Sequence, residues 1–282
     1  MHPQLFEIGG FSANAYGTLI LAGGFISLWG VRWDARNRGI AKGQLTSFVV
    51  DFYLVLIVGA FVGGRILHVL TVPGVYAADP GKLLSIDSTG FVFFGSLLAV
   101  LAGWVWLSRR YAIAFAELAD LGLTWMGLGH AFGRLGCFMA GCCWGGATDG
   151  PTGVRFPDKA MVWLVEPSLR EGAHTVSLHP TQLYESIGLL VVFAVLIAFR
   201  LRRGIEPHWR QASRYALGYG VLRFVTELFR GDASRGFVFE LRSPALADVL
   251  AVPPDQPLVL SISQALALAI AALGLYGLRA SR

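Results

Sequence analysis

The chain has 282 residues, of which 55% are hydrophobic and only 15% charged, against about 25% charged in an ordinary soluble domain. With a mean hydropathy of +0.58, this balance excludes a water-soluble globular enzyme, and the 35 glycines suit membrane helices that pack closely. The net charge of +5 is concentrated in loops, so it does not mark a nucleic-acid partner.

In chain order, the apolar segments are Tyr16 to Val31, Leu45 to Leu70, Phe91 to Leu107, Ile113 to Phe132, Leu183 to Phe199, Tyr215 to Phe229 and Leu258 to Leu278. A hydrocarbon core about 30 Å thick takes about 20 helical residues to cross, and most of these segments meet that length. Tyr215 to Phe229 is shorter and carries charges. The expected fold is an all-α polytopic membrane protein with seven transmembrane helices and one domain over residues 1–282. Met1 to Gly10 lacks a basic n-region, so the first span is expected to be a retained helix and not a cleaved signal.

Loop charges set the expected orientation. Arg32, Arg36, Arg38 and Lys42 follow the first span, and Arg109 and Arg110 follow the third. Arg200, Arg202, Arg203, Arg210 and Arg214 lie between the fifth and sixth, and Arg279 and Arg282 end the chain. The alternate loops, near 71–90, 137–180 and 230–257, are mixed in sign: Asp79, Lys82 and Asp87, then Asp149 through Arg170, then Asp232 through Asp255. The positive-inside rule then predicts an outer N-terminus and a cytoplasmic C-terminus.

Within the sixth span, Tyr219, Arg223, Glu227 and Arg230 recur at helical spacing and fall on one face. Each charge costs about 2.5–3.5 kcal/mol at a membrane centre on insertion scales, so such groups face a bundle interior or a wet cavity. Two arginines against one glutamate leave positive charge for a bound anion; an ion-pair network locking helices is the structural alternative. Asp51 and Arg65, in the second span, are either pair members or cavity groups.

The fourth span runs into Gly133-Arg134-Leu135-Gly136-Cys137-Phe138-Met139-Ala140-Gly141-Cys142-Cys143-Trp144-Gly145-Gly146. Glycine here permits tight turns and close approach, and Arg134 at the outer boundary can offer a phosphate a planar fork of donors, or simply snorkel. Leu178-His179-Pro180-Thr181-Gln182-Leu183-Tyr184-Glu185 opens the fifth span. Proline in a first turn puts His179 near the N-cap, where free N–H groups suit an anion. Cys137, Cys142 and Cys143, close in sequence to His130, match no standard zinc-finger spacing, so no metal is expected. They read as small buried thiols, or as an outer-face disulfide joining Cys137 to Cys142 or Cys143.

Together these motifs resemble the phosphatidylglycerol–prolipoprotein diacylglyceryl transferase family. The correspondence runs through Tyr16-Gly17, Gly64-Arg65, the stretch Gly133 to Gly145, the stretch His179 to Glu185, the stretch Tyr219 to Arg230, and Leu260-Ser261-Ile262-Ser263-Gln264. The resemblance implies a seven-helix inner-membrane enzyme with a small periplasmic head, which moves a diacylglyceryl group from phosphatidylglycerol to the thiol of a lipobox cysteine in a preprolipoprotein. Glycerol phosphate leaves, and no cofactor is used. It implies Arg134 and Arg223 around the headgroup and departing phosphate, with Glu227 and Arg230 holding Arg223. Tyr16 and Tyr219 would line the site among surrounding membrane lipids, and Gly145 would allow close approach. The family's S-F-H-G-G type motif has Phe94 at its histidine here, and Cys137, Ala140 and Cys142 replace the usual asparagines and glutamate. A relocated base is therefore expected, with His179 ranked ahead of Glu227 and hydroxide. An altered or inactive paralogue that binds phospholipid or lipoprotein stays open, as does a lipid or anion transporter, although no inverted repeat is visible.

Overall fold

The computed structural model describes residues 4–8, 11–83, 91–231 and 236–281. Met1, Gly9, Gly10, Asp87, Asp232 and Arg282, used above for the N-terminus and the loop charges, lie outside the described residues.

Each apolar segment is carried by a long helix: α1 (Ala15–Arg38), α2 (Leu45–Thr71), α3 (Phe93–Tyr111), α4 (Phe115–Ala140), α5 (Thr181–Arg203), α6 (Arg210–Glu227) and α7 (Ile262–Ala280). Among the described residues, α2, α5 and α7 are long and apolar enough to cross a membrane. Large apolar side chains such as Phe25, Trp29, Leu54, Leu98 and Leu201 stand exposed along the helices, as lipid-facing residues do.

The fold is mainly helical, as expected of an all-α membrane protein, and some element boundaries differ from the sequence expectation. Short ribbons accompany the helices: β1 (Gln4–Ile8) pairs antiparallel with β2 (Phe11–Asn14), β3 (Arg170–Glu171) with β4 (His174–Thr175), and β5 (Phe237–Leu241) with β6 (Val259–Ser261). Leu258 therefore does not open the last helix. β6 precedes it, and Ser261 and Gln264 close a reciprocal capping box that starts α7 at Ile262. Helix α4 does not stop at Phe132 but runs through Arg134 and Cys137 to Ala140, where Gly141 (φ +71°) turns the chain. Pro180 is the N-cap of α5, with His179 directly before it, near the cap as expected. Helix α6 ends at Glu227, so Arg230 lies past it.

The chain divides into two compact units, Met1–Ser27 with Gly122–Arg282, and Leu28–Leu121. In the first, Ala131 of α4, Leu189 and Leu196 of α5 and Tyr215 of α6 form a core, against which Leu123, Val192 and Leu222 pack. Between α4 and α5 the connection folds on its own apolar centre of Phe156, Ala160, Val162 and Leu178. The stretch after α6 does likewise around Ala247, Val252 and Leu258, covered by Leu228 and Phe229.

In the second unit, Phe52 stacks on Trp104 with ring centroids 5.9 Å apart. Asp51 takes Arg110 Nε at 2.9 Å and the Tyr111 hydroxyl at 2.6 Å. Arg65 donates to Tyr76 Oη at 3.2 Å and lies over the Phe91 ring. Both span charges thus have structural partners. Phe94 sits in the first turn of α3 and is exposed.

Candidate active site

Three helices of the first unit bring their charged residues together. Arg134 of α4 reaches Glu185 Oε1 of α5 through Nη2 at 3.0 Å. Arg223 of α6 approaches Glu185 Oε2 through Nη1 at 3.4 Å, and Glu227 Oε2 through Nη2 at 2.7 Å. Both carboxylates are buried, at 2% and 1% exposure, and the arginines nearly so. Serine 261, the N-cap of α7, donates its hydroxyl to Glu227 Oε1 at 3.2 Å while accepting from the Gln264 amide. The cap that starts the last helix therefore also anchors the carboxylate that holds Arg223.

Sequence reasoning placed Arg134, Arg223 and Glu227 here but missed Glu185, the carboxylate that bridges the two arginines. The available signal was a lone acidic residue at the mouth of an apolar run, inside a motif already singled out. Glu185 and Glu227 pair with Arg134 and Arg223, and with Arg230 the residues number three arginines to two carboxylates. The cluster's availability to an anion rests also on geometry. Arg134 meets its carboxylate with one nitrogen, which leaves the rest of its guanidinium fork for a ligand. Arg230, past the helix end, carries its charge toward Cys143.

His130 of α4 lies 3.7 Å from Glu185 through Nε2, with its ring 5.5 Å from that of Tyr219, which stacks on Tyr215. Tyr16 opens α1 beside Gly136 and lies within electrostatic reach of Arg134 and the three cysteines. At Gly145 the close approach is to the chain itself. Its N–H donates to the His179 carbonyl at 2.9 Å, and a Cβ there would stand 2.6 Å from the Phe229 carbonyl oxygen.

His179 is buried and fully engaged. Its Nε2 lies 3.0 Å from the Ala251 carbonyl, which can only accept, so Nε2 carries the proton. The bare Nδ1 then accepts from Tyr184 Oη at 3.0 Å, and Tyr184 in turn contacts Thr152 Oγ1 at 2.6 Å. Burial holds the imidazole below its usual pKa, opposed by its bond to Ala251. His179, Tyr184, Leu222, Phe229 and Leu250 border a cavity of about 470 Å³, whose lining includes none of the arginines.

Nor is the start of α5 an open anion site, because its first side chains hold the cysteine loop. Gln182 Nε2 donates to the Cys142 carbonyl at 2.6 Å and Thr181 Oγ1 to the Cys143 carbonyl at 2.9 Å. The cysteines are free thiols and not the disulfide considered above, although the fold gathers all three sulfurs within 4.8 Å of one another.

These features define a helical protein of membrane character, with two half-buried arginines, from α4 and α6, gathered about a buried carboxylate of α5. The chain belongs to the prolipoprotein diacylglyceryl transferase family, whose pattern it matches over residues 3–279. It is 31% identical over 235 residues to a phosphatidylglycerol–prolipoprotein diacylglyceryl transferase of Clostridium tetani, covering 82% of this chain and 86% of the relative. A protein of the same name from Pseudoalteromonas atlantica is 33% identical over 231 residues, 81% of this chain and 75% of its own length. Another, from Aeromonas hydrophila, is 30% identical over 256 residues, 89% and 85% of the two chains.

Proposed function

We infer that this protein transfers the diacylglyceryl group of phosphatidylglycerol to a prolipoprotein, the first step of lipoprotein maturation. The observation that carries the reading, beside family membership, is the Arg134–Glu185–Arg223–Glu227 cluster, which holds two guanidinium groups in place with part of one fork unengaged. The reaction is a substitution at carbon. The acceptor sulfur attacks the glycerol carbon, the carbon–oxygen bond to phosphate breaks, and the electron pair leaves on the phosphate oxygen. Preorganised donors aimed at that developing charge are the main help a protein can give. Arg134 and Arg223 serve as those donors; Glu185, Glu227 and Arg230 fix and tune them. Tyr16 and Tyr219 border the headgroup.

The acceptor is a lipobox cysteine, and the site faces the outer side of the bacterial inner membrane. Seven crossings, with the N-terminus outside and the C-terminus in the cytoplasm, agree with the basic residues that follow α1, α3 and α5. His179 acts by positioning and not as the base. Its one lone pair is committed to Tyr184, and its imidazole joins the loop before α5 to the segment at Ala251.

Purified protein incubated with phosphatidylglycerol vesicles and a lipobox peptide should add one diacylglyceryl thioether to the peptide, read by mass. No mass shift, under conditions where a related transferase modifies the same peptide, would refute the reading.

A further inference from the structure

The anion cluster leaves the cysteines unused. Their three sulfurs lie within 4.8 Å of one another, and no fourth histidine, cysteine or carboxylate atom joins the group among the described residues. Metal–thiolate bonds of about 2.3 Å in a tetrahedron set neighbouring sulfurs about 3.8 Å apart. Drawing the trio together by about 1 Å or less makes a trithiolate face of the size a metal of this kind takes.

The backbone that carries these thiols is held on several sides. The Cys142 and Cys143 carbonyls accept from Gln182 and Thr181, and the Cys142 N–H donates to the Cys137 carbonyl at 3.1 Å. Cys143 has φ +59°, a left-handed conformation that residues with a Cβ adopt rarely and that persists where the surroundings over-determine it. Arg134 and Arg230 lie within electrostatic reach of Cys143, so positive charge stands beside the sulfurs. Arg134 also stands one helical turn before Cys137 on α4, so the leaving phosphate's donor and the thiols share one end of a helix.

We propose that Cys137, Cys142 and Cys143 bind one soft divalent cation of the zinc class, and that the substrate's acceptor thiol takes its fourth position. Three protein ligands with one position open is the arrangement of catalytic zinc, whereas structural zinc is closed by four. A coordinated thiol is deprotonated outright, so the cation supplies what the family's histidine would otherwise provide, at a chain that has Phe94 in its place. The proposal rests on the transferase reading above. On binding, the substrate S–H loses its proton to water and sulfur bonds the cation. The metal-bound sulfur then forms the S–C bond as the C–O bond to phosphate breaks, and the electron pair departs on the phosphate near Arg134. No electron is gained or lost overall. The product thioether is neutral and a weak ligand, so it leaves the cation open for the next thiol. Three thiolates on a divalent ion carry a charge of −1, which the neighbouring arginines offset.

The test uses the full chain, purified in detergent without oxygen, stripped with a chelator and titrated with Co²⁺, a spectroscopically visible stand-in for Zn²⁺. We expect one equivalent bound, with thiolate-to-cobalt charge-transfer absorption, and competitive displacement by Zn²⁺. Loss of an outer partner of a metal ligand alone costs about 10- to 100-fold in affinity, so Cys137→Ser, Cys142→Ser and Cys143→Ser should each lose at least that much. A lipobox peptide should shift the cobalt ligand-field bands, and the same peptide with serine for its cysteine should not. Failure of the wild-type protein to bind Co²⁺ stoichiometrically, or binding that all three variants retain, overturns the proposal without requiring any variant to fold. Isolation of two of the thiols as a disulfide that resists reductant overturns it as well. Full transfer by stripped, metal-free protein would sink the cation and spare the transferase reading. Cobalt binding with the peptide response but no transfer under any condition would do the reverse.

Discussion

Arg134 Nη2 stands 3.0 Å from Glu185 Oε1, joining a glycine-rich helix end to the second turn of the next long helix. Because Glu185 also approaches Arg223, its removal leaves two guanidinium groups facing each other in a buried site. Breaking one side of a buried pair costs about 3–5 kcal/mol. Glu185→Gln should therefore lower the melting temperature measurably and cut transfer at least tenfold, with Glu185→Asp intermediate. Unchanged melting and turnover in Glu185→Gln would show that this carboxylate does not organise the arginines.

Arg134→Ala and Arg223→Ala should each reduce transfer by about 10²–10³-fold, the cost of deleting one preorganised donor to a developing anion. Lysine at either position should restore only part of this, because a point charge does not reproduce the planar fork. Inserted protein must be quantified alongside turnover. Near wild-type rates in both alanine variants would remove the phosphate role.

Much of this arrangement was legible in the residues. Apolar length located every long helix, and charges inside an apolar run pointed to Arg223 and Glu227, because an unpaired charge there is too costly to be incidental. What escaped was long-range. Nothing in the spacing of Glu185 says that it meets arginines from two other helices. The end of α6 at Glu227 depends on how Leu228 and Phe229 pack into the following segment. Likewise, the cysteine spacing matches no finger, because the sulfurs converge only after Gly141 turns the chain and Thr181 and Gln182 hold the loop.

A reporter active only in the cytoplasm, fused after Ala280, should be active, and one inserted between Gly150 and Pro151 should be silent. The basic loops Arg32 to Lys42 and Arg200 to Arg214 set this expectation. Arg214 Nη2 also holds Glu206 Oε1 at 2.8 Å, so the second of these loops neutralises the acid within it and stays strongly basic. The opposite pattern would put the arginine cluster on the cytoplasmic side and contradict the proposed outer-face chemistry.

His179 gives a pH test of both stability and role. Burial depresses its pKa in the folded state, whereas an unfolded imidazole titrates near about 6.5. Between those two values the unfolded chain binds a proton that the folded chain refuses. The stability contribution is therefore intact above about pH 6.5 and declines as pH falls below it toward the folded pKa. His179→Gln, whose amide can still donate to the Ala251 carbonyl, should show a shallower loss of melting temperature on going from roughly pH 7.5 to 5.5 than the wild type. Parallel curves would mean that His179 does not contribute to acid sensitivity. In the transfer assay, His179→Ala should show a deficit that stays constant with pH, as expected when the imidazole only joins Tyr184 to the Ala251 segment. A deficit that vanishes toward the free thiol's pKa of about 8.5 would instead make His179 the base, since hydroxide then supplies the thiolate unaided.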